Sequence, residues 1–358
     1  MLGTITIFLF LITSLLSYIE SYLGKYKIPI YYALGAVMVL CAALREVGID
    51  PDSEAYESTF LSDADSEMGD RVEFSFILIS NIVHLFSNDV HVLFLVYAAI
   101  AISLKFIAFR QISEHTFLPV VVYIGYFYIF HEMMQIRSGV MAGFFLLALK
   151  PICEKQRLRA FLLLLAGLFF HYSALVLFPL IFMSNKPMTI RSRFLWALII
   201  PIGYFLYFYG LSFLLDMSTN IPYIGGKIAS YQWGTQMGTA IDKVNVFNPL
   251  QLLMVFLYYY LLFYHDLIVE NNKMFPLLIK IYALGVIAYP ALSSFPVMAE
   301  RIQLLLLTVH ILLFSFLYYT VKPKWAGISL VVLTSFAFLN IALPSINFAL
   351  LWKSAKMK

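Results

Sequence analysis

Charge is what this sequence has least of. Asp, Glu, Lys and Arg make up 12% of its 358 residues, and apolar side chains 62%; an ordinary soluble domain carries about 25% charged and 45–50% apolar residues. That shortage excludes a soluble enzyme, and a scattered net charge of +4 excludes a nucleic-acid-binding module. Cysteine is almost missing, and Cys41 with Cys153 cannot form a disulfide framework. There is no G-x-x-x-x-G-K-[ST], no H-E-x-x-H, no Cys/His cluster, no internal repeat and no low-complexity stretch. Phosphate-loop ATPase and zinc chemistry are therefore not expected. Ser138-Gly139 lacks the preceding glycine of a G-x-S-x-G serine. The first apolar run has neither a basic leader nor a small-residue cleavage site, so it is expected to be a retained span.

Long apolar runs are abundant, from residue 3 to residue 352, with 33 Phe and 24 Tyr among them. Uninterrupted runs rather than alternating ones exclude an outer-membrane barrel. The expectation is an all-α polytopic integral membrane protein with about 10–12 transmembrane helices. Candidate spans lie near 4–23, 28–45, 90–109, 117–132, 133–150, 160–185, 194–215, 249–269, 275–292, 300–320 and 326–351. Basic segments at Lys25/Lys27, Lys150 to Arg159, Lys186 to Arg193 and Lys322/Lys324 mark the cytoplasmic side. Residues 1–358 then form a single transmembrane domain with extracytoplasmic loops at 46–73 and 216–247.

Three segments resist a simple crossing. Residues 74–87 are too short, and with Asn81 and His84 on one face they are expected to form an interfacial or re-entrant helix. Residues 160–185 are one tilted helix or two half-helices bent at His171; basic loops on both flanks favour the bend. The last span puts Lys353, Lys356 and Lys358 outside unless Asn340 and Pro344 break it.

Ten of the 20 acidic residues lie between Glu46 and Glu73. Hydration explains Asp63, Asp65, Glu67 and Asp70 at a loop tip; it explains less well those that border apolar helices. Charge at a bilayer is costly, so its placement is informative. Once the cytoplasmic cations are set aside, Arg45, Asp50, Asp52, Glu73, Glu132, Arg137, His171, Glu300 and Arg301 remain, all expected at or just below the extracytoplasmic face. An arginine at a helix end usually snorkels to lipid phosphate. Three from distant segments, with a histidine, point instead to an anion pocket for a phosphate or diphosphate at headgroup depth. Asp50-Pro-Asp52 and Asp63-Ala-Asp65 are D-x-D pairs of the kind that can hold Mg²⁺. No metal or cofactor is expected, with Mg²⁺ as the alternative. His171 can equally be a helix-packing residue, and Glu300 a local ion-pair partner of Arg301.

These residues follow a pattern. Arg45 closes the second span and is followed by Val47-Gly48-Ile49-Asp50, by Asp52 with Tyr56, and by Glu73 opening a short helix. Gln135-Ile136-Arg137-Ser138-Gly139, Phe170-His171-Tyr172-Ser173-Ala174 and Glu300-Arg301 come next in order. Over about residues 40–310 the sequence resembles the EpsG family of bacterial membrane proteins, which belong with the Wzy-type polysaccharide polymerases. Asp50 and Asp52 both fit the family's aspartate. The resemblance implies a GT-C-like fold and a membrane glycosyltransferase acting on undecaprenyl-diphosphate-linked oligosaccharides at the outer leaflet of the inner membrane. Arg45, Arg137 and Arg301, with Gln135, Asp50, Tyr56 and Glu300, would bind the substrate and steady the diphosphate leaving group. His171, Asp52 or Glu73 would serve the acceptor hydroxyl. A chain-length regulator and a flippase are the implied partners, besides membrane lipids. A flippase for lipid-linked oligosaccharide, or an acyltransferase modifying polysaccharide, are the alternatives.

Overall fold

The computed structural model describes residues 2–62, 73–210, 244–293 and 295–356, with side chains as far as Ile346. The expected loop at 216–247 lies outside the described residues up to position 243, as do Asp63, Asp65, Glu67 and Asp70. Among the described residues there is no strand. The chain is an all-α polytopic membrane protein. Among the described residues seven helices are long and apolar enough to cross a membrane, or eight if the bent pair Pro249–Phe263 and His265–Asn271 counts as one span. Three further apolar runs of the sequence are built differently. Residues 117–132 break into a helix and a π-helical stretch, 160–185 form a hairpin, and 275–292 yield a helix of only 17 residues.

In chain order the helices are α1 (Leu2–Ile19), α2 (Lys27–Ala43), α3 (Ser53–Leu61), α4 (Phe74–His84), α5 (Val90–Ile112), α6 (Leu118–Gly125), α7 (Ile136–Cys153) and α8 (Arg157–Phe170). Then follow α9 (Ile190–Phe205), α10 (Pro249–Phe263), α11 (His265–Asn271), α12 (Phe275–Ala291), α13 (Pro296–Leu306), α14 (His310–Ser315) and α15 (Lys324–Lys356). The chain divides into two compact units: Met1–Ser184 with Glu270–Met274 and His310–Lys358, and Asn185–Val269 with Phe275–Val309. Helix α15 runs unbroken through Asn340 and Pro344.

In the first unit α5 packs along α7, and α7 along α8. The segment after α2 folds back on this layer: Tyr56 and Phe60 of α3 and Phe76 of α4 join Phe94 and Tyr97 of α5 and Val140 of α7 in one apolar cluster. At 11 residues α4 is about 16 Å long at 1.5 Å per residue, roughly half a hydrocarbon core. It cannot cross, as its length in the sequence indicated. His84 pins it to α3, stacking on Phe60 at 4.1 Å and bonding the Phe60 carbonyl at 2.9 Å.

The alternative left open at 160–185 is settled by the backbone. Helix α8 stops at Phe170, His171 is extended (φ −157°, ψ 125°), and a 3₁₀ segment runs from Tyr172 to Phe182. The Arg157 guanidinium lies 5.3 Å from the Phe182 ring centre, so the two arms end side by side. Fourteen α-helical and eleven 3₁₀ residues both span about 21–22 Å, which is why the arms match.

In the second unit two prolines sit inside helices, Pro201 in α9 and Pro290 in α12. Each deprives the carbonyl four residues earlier of its donor, and hydrocarbon supplies no replacement. Helix α10 provides both: the Tyr259 hydroxyl donates to the Ala197 carbonyl at 2.9 Å, and the Gln251 amide donates to Val286 at 3.0 Å.

The hairpin can be checked by labelling. With Cys41 and Cys153 replaced, single cysteines at Gln156 and Ser184 are expected to react with an impermeant maleimide from the same face of the membrane. Reaction from opposite faces would establish a single crossing.

Candidate functional site

Of the residues singled out by the sequence, Arg45, Asp50, Asp52, Glu73, Arg137 and His171 converge at one end of the first unit. Helix α2 ends there, α7 begins there, and α8 turns there; Lys27 opens α2, and Lys150 lies in the last turn of α7, both at the other end. Two clusters form, and they differ in access.

The first is closed. Arg45 follows the end of α2, and its Nε donates to Asp50 Oδ2 at 3.2 Å, with Nη1 donating to the Ala42 carbonyl at 2.6 Å. Its guanidinium lies 3.8 Å from the Phe94 ring centre. The side chains of Arg45 and Asp50 are both 0% exposed. Asp50 Oδ1 accepts from the backbone N–H groups of Asp52 (3.0 Å) and Ser53 (2.9 Å), opening α3. Gly48 supplies the φ of +84° that the turn needs, and its N–H donates to Ser53 Oγ at 2.8 Å. The glycine and aspartate of the V-G-x-D element thus have local work, one shaping the turn and the other accepting the N–H groups that lead into α3. Burial draws the Arg45 pKa down, and Asp50 opposes that. Nη2 of Arg45 is buried with no hydrogen-bond partner. His91 at the start of α5 bonds the Arg45 carbonyl at 3.1 Å.

The second cluster is open. Glu73, at the N-cap of α4, bridges two elements that are distant in sequence. Its Oε2 pairs with Arg137 Nη1, and its Oε1 accepts from His171 Nδ1 at 2.5 Å. Arg137 and His171 keep 24% and 18% of their side chains exposed, against 7% for Glu73. Arg137 also lies 5.7 Å from the Tyr56 ring centre and 5.8 Å from Phe76. Burial raises the Tyr56 phenol's pKa, with Arg137 pulling it back. Asp52 is half-buried at the start of α3. Gln135 occupies the break before α7, where its N–H reaches the Phe130 carbonyl and its own carbonyl accepts from Gly139.

Arg137 owes its position to Glu132 and to Lys105, a lysine that was not among the expected site residues. Lys105 of α5 is fully buried; its ammonium pairs with Glu132 Oε1 and donates to the Gly139 carbonyl at 2.7 Å. The Tyr123 hydroxyl donates to the same Glu132 oxygen at 2.6 Å. One cation thereby ties α5 to the π-helical stretch Tyr128–Met134 and to the first turn of α7, on either side of Gln135. Gly139 is required here: a Cβ would stand 2.6 Å from the His131 carbonyl oxygen. The available signal was a lone lysine within the apolar run 90–109, with an unmatched Glu132 at the end of a later run.

Glu300 and Arg301 lie in α13 of the second unit, both exposed. They form no ion pair with each other, and Arg301 bonds to none of the described residues. The D-x-D pair at Asp50 and Asp52 does not fit Mg²⁺, because both Asp50 oxygens are occupied by N–H donors. Asp63 and Asp65 lie outside the described residues.

Two substitutions test the scaffold. Lys105→Met strands a buried carboxylate, at an expected cost of about 3–5 kcal/mol in unfolding experiments in detergent. Adding Glu132→Gln should recover most of that loss. Gly139→Ala forces the π-helical stretch to move and should cost about 1–3 kcal/mol in the same assay.

The amylovoran biosynthesis protein AmsC of Erwinia amylovora is 24% identical over 252 residues, 69% of this chain. The match covers 65% of that protein, so the chain spans just under two thirds of this relative's length. No solved structure matches the chain. The EpsG family model matches residues 28–354, which takes in every element described at this site, and the chain belongs to the EpsG family.

Proposed function

We propose that the chain is a polysaccharide polymerase: a GT-C-like glycosyltransferase that joins undecaprenyl-diphosphate-linked oligosaccharide units at the outer face of the bacterial inner membrane. Family membership and the part of AmsC in amylovoran biosynthesis support this reading. The observation that carries it is the bridging of Arg137 and His171 by Glu73, at the end of the unit opposite Lys27 and Lys150.

In this reading an acceptor hydroxyl oxygen attacks the anomeric carbon of the donor. The bond from that carbon to the diphosphate oxygen breaks, its electron pair leaves with the diphosphate, and the hydroxyl proton passes to a base. Glu73, accepting from Nδ1, fixes the His171 tautomer whose Nε2 carries the lone pair, and so suits the histidine to the base role. Arg137 faces the leaving diphosphate, where a planar guanidinium stabilises charge as it develops. Arg301, exposed in the second unit, is a further guanidinium open to an anion. Arg45 and Asp50 act as framework in this state, because neither is exposed. Asp52 and Gln135 are further candidates for sugar hydroxyls. No resident metal enters the scheme; a flippase and a chain-length regulator would be its partners.

The test is a glycan ladder from a deletion strain carrying each variant, normalised to membrane protein by immunoblot. Arg137→Lys keeps the charge but loses the fork geometry; bands beyond one repeat unit should disappear at unchanged protein level. His171→Gln should do the same. A wild-type ladder from Arg137→Lys would refute the assignment, and loss of the single-repeat band as well would indicate a flippase.

A further inference from the structure

The hairpin α8–Tyr172–Phe182 has its functional tip at His171, but its open end is also built. Between the two arms lies a groove of about 690 Å³, lined by Leu158, Phe161, Leu175, Phe178 and Phe182, with Arg157 at its mouth. That volume falls among those of small-molecule sites, about 300–1,000 Å³. Phe161 and Phe178 meet edge to face at 5.3 Å between ring centres. Leu158, Leu175 and Phe182 are 72%, 61% and 71% exposed.

Arg157 is the distinctive member. Its guanidinium rests near the Phe182 ring, at 5.3 Å, and has no acidic or hydrogen-bonding partner among the described residues. The acid of this turn, Glu154, pairs instead with Lys150 and Gln156. Arg157 also opens α8, whose first turn carries N–H groups without an intrahelical partner. Lys150, Lys155 and Arg159 are its neighbours in sequence, against that single acid. A guanidinium docked on an aromatic ring, free at its N–H edge and set at the end of an apolar groove, matches one kind of molecule: an anionic headgroup joined to a hydrocarbon tail.

We propose that this groove is a binding site for an anionic phospholipid of the leaflet that the basic segments face, with the phosphate on Arg157 and an acyl chain between the hairpin arms. The assignment is independent of the glycan chemistry. Both arms join at His171, so a lipid seated between them also supports the tip that holds Glu73.

Native mass spectrometry of the full chain, delipidated in detergent, tests it with phosphatidylglycerol and phosphatidylcholine of identical acyl chains. About tenfold tighter binding of phosphatidylglycerol is expected, a difference of 1.4 kcal/mol. Arg157→Gln should abolish the preference, Leu175→Trp should weaken both lipids by filling the groove, and Arg191→Gln, at another exposed arginine, should change neither. Equal binding of the two lipids by the unaltered protein overturns the proposal, and that comparison needs no variant to fold. So do a preference retained in Arg157→Gln or lost equally in Arg191→Gln. Displacement of phosphatidylglycerol by undecaprenyl phosphate at lower concentration would assign the groove to the lipid carrier instead.

Discussion

Hydrocarbon offers no hydrogen-bond partner, and most of the polar detail in this protein answers that constraint. A buried lysine is tolerable in α5 because a carboxylate and a backbone carbonyl meet its ammonium. Prolines are tolerable in α9 and α12 because Tyr259 and Gln251 reach across to the carbonyls they release. The same requirement turns Lys105 into an anchor for the element that carries Arg137. A group that must be satisfied in a bilayer also fixes the position of whatever satisfies it.

At the candidate site one carboxylate does the equivalent work for function. Glu73 joins a short helix, the start of α7 and the tip of a hairpin through one side chain. Its two partners are 64 and 98 residues from it in sequence, so the bridge forms only when all three elements have folded. Arg137 and His171 remain partly exposed while their orientation is held, the combination that a charge-stabilising group and a base require. Arg45 and Asp50 close on each other instead, with Phe94 against the guanidinium and His91 on the Arg45 carbonyl. The two arginines thus have different access although the sequence presents them alike.

Seen in the bilayer, the hairpin is the element that links these features. Its extended residue is the histidine of the site, and its arms leave a groove at the opposite end beneath Arg157. Neither arm is long enough to cross alone, so the segment depends on α7 for its hold, against which both arms pack.

Composition and run length alone determined the class of molecule, because burying 62% apolar residues at 12% charge has no solution in water. They also determined that 74–87 stops short of a crossing, since helix rise per residue is invariant. Motif order was enough to bring Arg45, Asp50, Glu73, Arg137 and His171 together at one end. Which of them pair was decided by the folded structure, because pairing depends on which side chains are brought within hydrogen-bonding distance. The sequence did not show that Arg45 would be consumed by Asp50, that Glu73 would hold both Arg137 and His171, or that Lys105 would matter. The last two rest on contacts between segments that share no local pattern, whereas the first is a local turn closed over by Phe94 of α5.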